Sequence, residues 1–182
     1  PSAGNTLGSM HILTEGQPLS MFYGFVRKDQ LDENGLEQYE DLDSDGDIDQ
    51  DDRQVIGSPW PDFEFGFTNN LSYKNFDLSV FIDGASGLDI LNAGRERFAD
   101  SFFRGGNQLR EVYDSHWSID NPDPNAKYPK MSSAQNYRPS NDLIEDGSFI
   151  KVRNITLGYN IPLRNSMTFK LIRVYMSAQN IL

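Results

Sequence analysis

Side chains that alternate strictly between apolar and polar, connections that are short and long in turn, and the absence of any apolar run of about 18 residues predict an all-β chain without a membrane-spanning helix. The strands read as antiparallel. Taken together, the three observations fit a transmembrane β-barrel, partial and not closed, with long extracellular loops.

A first, weaker strand is expected over 20–27 (SMFYGFVR). The clearest alternation follows: Phe63, Phe65, Phe67, Leu71 and Tyr73 share one parity, and Glu64, Gly66, Thr68, Asn70 and Ser72 the other. Lys74 and Asn75 interrupt it as the two-residue turn of a hairpin. Phe76, Leu78, Val80 and Ile82 then alternate with Asp77, Ser79, Phe81 and Asp83. A second pair comes later. Ile155, Leu157, Tyr159 and Ile161 alternate with Asn154, Thr156, Gly158 and Asn160 until Pro162 stops the strand. After a turn at 163–168, Ile172, Val174, Met176 and Ala178 alternate with Arg173, Tyr175, Ser177 and Gln179. The long connections are 28–61 and 84–148. Helical turns are expected in the second, around 92–103 and 107–117, with an extended Pro-rich strip at 121–129 (NPDPNAKYP).

One face of these strands is Phe, Tyr, Leu, Ile and Val, as contact with acyl chains requires; the other is Thr, Ser, Asn, Gly, Gln and Asp, as a hydrated lumen requires. The same alternation fits a half-exposed antiparallel sheet packed on its own core. That alternative corresponds to a secreted, calcium-stabilised β-rich binding module. Soluble sandwiches rarely carry a connection of about sixty residues, which favours the barrel. Four or five strands cannot close a barrel of at least about eight, and every backbone group in a bilayer needs a partner. On the membrane reading the chain is therefore a fragment. Its start at Pro1 without Met or leader and its end just after a strand agree with that expectation.

The net charge of −11 is local: residues 29–52 hold 12 of the 27 acids and no base. This argues against a nucleic-acid surface, which needs a basic stripe, and no nucleic-acid partner is expected. Within it, residues 41–52 (DLDSDGDIDQDD) carry the spacing of a calcium loop: Asp41, Asp43 and Asp45 at positions one, three and five, and Gly46 at six, where the turn needs positive φ. Asp47 offers its carbonyl at seven, Ile48 is apolar at eight, Asp49 acts at nine through water, and Asp52 closes at twelve. A structural Ca2+ is expected there. The shorter Asp at twelve and the non-helical flanks do not suit a paired helix–loop–helix sensor. An acidic, solvated loop is the plainer reading of the same run.

No catalytic or cofactor-binding residue is predicted, and an enzyme is not expected. Cys is absent, which excludes disulfides and thiolate chemistry. His11 and His116 have no accompanying nucleophile elbow, GASG at 84–87 has the wrong spacing, and there is no phosphate loop. Trp60, Tyr73, Phe76 and Tyr159 lie near strand ends, as girdles at the membrane interfaces do, although ordinary packing accounts for them too. Tyr113, Trp117, Tyr128 and Tyr137 either contact a sugar or partner, or hold the long connection together.

Several stretches carry a family resemblance. GQPLSMFYG at 16–24, DLDSDGDIDQDDRQVIGSPWPDFEFGFTNNLSYKNFDLSVFIDGASG at 41–87, HW at 116–117 with the proline strip, EDGSFIKVRNITLGYNIP at 145–162 and RVYMSAQNIL at 173–182 follow one another in the family's order. They resemble the SusC/RagA family, TonB-dependent transporters of the outer membrane of Bacteroidetes-type bacteria. The resemblance implies a plugged barrel of about 22 strands that imports glycans or peptides for nutrient uptake, with a SusD-like surface lipoprotein as lid. It also implies contact with outer-membrane lipid and energy from TonB through an N-terminal part that this chain lacks. On this basis, 1–182 is part of the C-terminal half of the receptor barrel, 28–61 an acidic calcium-type loop outside the cell, and 84–148 a long extracellular loop facing substrate or lid. Parity places Glu64, Asp77, Asp83 and Arg173 toward the lumen or plug.

Overall fold

A computed structural model describes residues 10–95, 109–131, 137–163 and 171–181. In chain order the strands are β1 (His11–Ile12), β2 (Met21–Gly24), β3 (Gln54–Gly57), β4 (Phe63–Tyr73), β5 (Phe76–Ser86), β6 (Asp89–Leu91), β7 (Ile144–Asp146), β8 (Phe149–Ile161) and β9 (Ile172–Ile181). Two short helices, α1 (Ala93–Arg95) and α2 (Arg110–Ser115), lie between β6 and β7. The chain forms two compact units. One comprises Pro1–Trp60 with Asp89–Asp146; the other comprises Pro61–Leu88 with Gly147–Leu182.

The second unit is a four-stranded antiparallel sheet in the order β4-β5-β8-β9. Its hairpin turns on Lys74 at φ +55, and Tyr73 pairs directly with Phe76. Register carries the apolar parity across all four strands: Leu71 faces Leu78, which faces Leu157, which faces Met176. Asn69, opposite Val80, is the polar exception. Among the described residues no second layer covers this face. Phe63, Phe67, Val174 and Met176 are 62%, 54%, 59% and 74% exposed. A contiguous exposed apolar face of this kind marks a surface that meets a membrane or a partner. Among the described residues these side chains are not enclosed in a sandwich core. Tyr73, Phe76 and Tyr159 cluster at the turn end of the sheet, the last two with ring centroids 4.6 Å apart.

The opposite face is mostly polar, and part of it is hydrogen-bonded within itself. Thr156, Ser177 and Asn154 share hydrogen bonds of 3.0–3.2 Å. Arg173 on β9 reaches Asp77 on β5 at 2.5 Å, across the intervening β8. Gly158 allows this: a Cβ there would lie 2.6 Å from both the Arg173 and the Asp77 side chains. Arg153 pairs with Asp83 at 2.7 Å. The register of β5 on β8 slips once, between Phe81 and Ile82.

The first unit draws on most of the two long connections and on the stretch that precedes the first of them. The weak strand expected at 20–27 appears as β2, but not as a barrel strand: it pairs with β1 and β3 in a separate three-stranded sheet. The two long connections are stitched together. Leu31 N–H donates to the Pro124 carbonyl at 2.8 Å, and Lys130 N–H to that of Gly35, also at 2.8 Å. Trp117 is buried against Gly35, whose φ is +76 and whose missing Cβ leaves room for the indole. Trp117 and Tyr128 thus hold the connection together, while Tyr113 stays exposed. The expected helical turns survive as α1 and α2; 96–108 lie outside the described residues, as does most of the 163–168 turn. The proline strip begins extended and then turns at Pro124–Asn125, with Ala126 N–H bonded to the Asp123 carbonyl at 3.1 Å.

A buried polar network anchors this unit. The Tyr39 hydroxyl donates to Glu37 at 2.7 Å and accepts the Arg138 N–H at 2.8 Å. Arg27 lies 3.3 Å from Glu37 and 3.2 Å from Asp142, which also pairs with Arg95 at 3.1 Å. Burial pushes the Glu37 carboxyl above its ordinary pKa, against the pull of Arg27 and the Tyr39 hydrogen bond.

Two substitutions check these assignments. With acyl chains against the apolar face, Phe67→Arg costs about 2–4 kcal/mol in urea unfolding of the complete protein from lipid vesicles; a water-facing position would change stability by about 0.5 kcal/mol or less. Tyr39→Phe leaves the Arg138 N–H and Glu37 without their shared partner. It is expected to cost about 1–2 kcal/mol, read as a roughly five- to thirty-fold loss of hydrogen-exchange protection at Arg138.

Candidate functional site

The acidic loop folds around its own carboxylates. Carboxylate oxygens of Asp41, Asp43 and Asp45 all lie within 4.8 Å of one another. Asp41 accepts the N–H groups of Ser44 (2.7 Å) and Gly46 (3.0 Å), which wraps the loop about it. Ser44 and Gly46 take φ of +63 and +94, the left-handed region that glycine occupies without a steric cost. Asp45 accepts the Asp47 N–H at 2.8 Å, and Asp49 that of Asp51 at 2.8 Å. At Asp43 the Asp45 N–H holds the pKa down, while desolvation and the neighbouring carboxylates Asp45, Asp52 and Asp41 push it up, for a net rise. A cation would reverse that repulsion.

Asp52 takes a different part. It is buried, and its two oxygens accept the N–H groups of Leu42 and Asp49, each at 2.7 Å, so the last residue of the loop is tied to the second. Those hydrogen bonds, Asp49 first and Leu42 second, hold its pKa below the ordinary carboxylate range. Arg53, next in the chain, donates to the Tyr23 carbonyl at 2.9 Å and lies 4.6 Å over the Tyr23 ring, anchoring the loop's end to β2. Of the six Asp residues singled out by spacing, three converge, Asp52 closes the loop, and Asp47 and Asp49 stand outside the convergent group.

Two recesses were not legible from the sequence. A polar cleft of about 230 Å³ is lined by Arg27, Lys28, Arg95, Lys127, Asp29 and Asp142 among others. An apolar recess of about 280 Å³ is lined by Leu31, Trp117, Pro122 and Pro124, with Asp32 and Glu33 at its edge. Both draw on stretches some ninety residues apart, brought together by the stitching of the two connections. The four lumen residues expected from parity behave as a set on one face, three of them in ion pairs: Asp77 with Arg173, and Asp83 with Arg153. Neither histidine sits in a catalytic arrangement among the described residues. His11 Nδ1 faces the Ser20 carbonyl at 3.3 Å, and His116 Nδ1 the Tyr113 carbonyl at 2.7 Å. Trp60 is held by its indole N–H on the Leu19 carbonyl at 2.7 Å.

No family model matches the chain. Individual proteins do. It is 30% identical to one TonB-dependent receptor of Formosa agariphila across 94% of this chain, and 34% identical to another across 83%. It is 28% identical to the TonB-dependent receptor SusC of Bacteroides thetaiotaomicron across 91% of this chain. The chain spans only 16–18% of the length of these relatives. Solved structures of the RagAB peptide transporter, and of the RagAB peptide importer in an open-open state, superpose with TM-scores of 0.77 and 0.76 over 98% and 97% of this chain. Those superpositions cover 20% of the larger chains at 22% and 23% identity, and they show the fold. The proteins matched are receptors and transporters rather than enzymes. At 30% and 34% identity over most of its length, the chain belongs to the TonB-dependent receptors, proteins of the outer membrane.

Proposed function

We propose that the chain is part of the barrel wall and outer loops of a transporter that imports glycans or peptides together with a SusD-like surface lipoprotein. One observation carries this reading: a single-layer sheet whose apolar face is bare and whose polar face is hydrogen-bonded, the form of a wall between lipid and an aqueous interior. The wall does no chemistry. Its apolar side anchors it in acyl chains, and its fixed ion pairs give the aqueous side a rigid surface. The strand ends opposite the 74–75 turn carry the long connections, which on this reading lie outside the cell and meet cargo or the lipoprotein. Energy from TonB enters through receptor segments beyond this sequence. That RagAB is a peptide importer supports peptide as one cargo class for this receptor, and the lipoprotein partner is proposed from the family resemblance in the sequence.

The acidic loop is proposed to hold a structural Ca2+ through Asp41, Asp43 and Asp45, with Asp47, Asp49 and Asp52 completing the set. The calcium-loop spacing and the convergence of the first three carboxylates support it. The ion would neutralise the crowded acids and stiffen an exposed loop.

Uptake of labelled oligosaccharides and oligopeptides by cells making the complete receptor tests the transport reading. One class should enter, and entry should stop when the lipoprotein or TonB is removed; entry of neither class in a TonB-dependent way contradicts it. For the ion, calorimetric titration of the complete protein with Ca2+ is expected to show binding that Asp43→Asn with Asp45→Asn weakens by about tenfold or more, a loss of at least about 1.4 kcal/mol. Chelation should lower the thermal midpoint of the parent only. Asp52→Asn should loosen the loop with or without the ion. Absence of calcium-dependent heat and stabilisation rejects the site.

A further inference from the structure

We infer that a β-bulge at Arg153 reverses the side-chain alternation of β8. Ile150 and Val152 thereby extend the lipid-contacting surface, while Lys151 and Arg153 turn to the aqueous side. The inference rests on the membrane reading above and adds the point at which parity changes.

Register and side chains agree on the reversal. From Phe76 to Phe81, β5 pairs with β8 in one register, ending at Phe81 with Asn154; from Ile82, which pairs with Val152, the register has slipped by one and Arg153 is left out. Two consecutive residues then point the same way. Asn154 bonds to Thr156 and Ser177 on the polar face. Arg153 pairs with Asp83, and Asp83 shares the face of Asp77, because β5 runs against β4 without interruption. The neighbouring strand bends with it. Pairing of β8 with β9 skips the one position where Arg153 would face Asn180, and Asn180 takes φ +52. Asn is among the few residues that tolerate that conformation. A bulge inserts one such unpaired residue and re-aims the side chains beyond it.

The consequence is chemical. Carried back unbroken from Leu157 and Ile155, the alternation would set Arg153 and Lys151 among the acyl chains and Ile150 and Val152 in water. Cations on the lipid face of a barrel are destabilising. With the bulge, Val152 pairs with Ile82 and Ile181, and the exposed Ile150 continues the apolar face. Lys151 pairs in register with Asp83, and its ammonium sits 4.7 Å over the Phe149 ring. The surface fits a lipid partner along its whole length only because one residue is inserted.

Nitroxide labels at single cysteines replacing Ile150, Lys151, Val152, Thr156 and Leu157 test this in the complete receptor, with any other cysteine removed, in lipid vesicles. Collision with lipid-soluble oxygen relative to a water-soluble nickel chelate is the readout. Labels at 150 and 152 should match 157, with a ratio several-fold higher than at 151 and 156. A label at 151 that behaves like 157, with 157 and 156 still distinct, overturns the bulge assignment alone. Equal ratios at 156 and 157 overturn the membrane reading and this inference with it.

Discussion

The controlling constraint is the sorting of side chains by face under a fully paired backbone. A single sheet with greasy residues on one side cannot persist in water, and a sheet with unpaired backbone cannot persist in lipid. The four strands β4, β5, β8 and β9 meet the first demand by register alone, since Leu71, Leu78, Leu157 and Met176 line up across them. The second demand leaves the outer edges of β4 and β9 in need of neighbouring strands. Small residues tune the fit. Gly158 opens the path for the Asp77–Arg173 pair on the polar face, and Gly84 accepts the Phe65 ring on the apolar one.

Charge is divided as sharply as hydrophobicity. Counting residues in each unit, the unit built from the long connections holds 23 acids against 10 bases, and the sheet unit 4 acids against 6 bases. The acidic unit copes in two ways. Of its buried acids, Glu37 is held by Arg27 and Tyr39, and Asp52 by the N–H groups of Leu42 and Asp49. Its exposed acids turn their oxygens onto backbone N–H groups of their own loop, as Asp41 and Asp45 do. That second device orders the loop in advance, so a bound cation would find its oxygens already gathered.

Period-two patterning made β4 legible to the residue and β5 as far as Asp83, three residues short of its end at Ser86, because a half-buried strand writes its environment into every second position. The later pair was legible at its turn-side ends, Ile161 and Ile172, and not at its far ends, Phe149 and Ile181. The Arg153 irregularity breaks the period where β8 begins, so alternation could not be followed back to Phe149. The three-stranded sheet of β1, β2 and β3 was hidden for another reason: its strands are two to four residues long and owe their existence to tertiary pairing. In the acidic loop, spacing identified the three carboxylates that converge, since they are local in sequence. It could not show that Asp52 is a backbone staple, a role that depends on burial. The two recesses were out of reach because their walls meet only through long-range stitching.

The central claim is that the Phe- and Leu-bearing face touches acyl chains while its neighbours one residue away do not. Photocrosslinking measures this directly. Benzoylphenylalanine in place of Leu157, and separately of Thr156, is irradiated in the complete receptor in lipid vesicles, and adducts are identified by mass spectrometry. The account predicts acyl-chain adducts at 157 and none at 156. Lipid adducts at neither position, or equally at both, would contradict it.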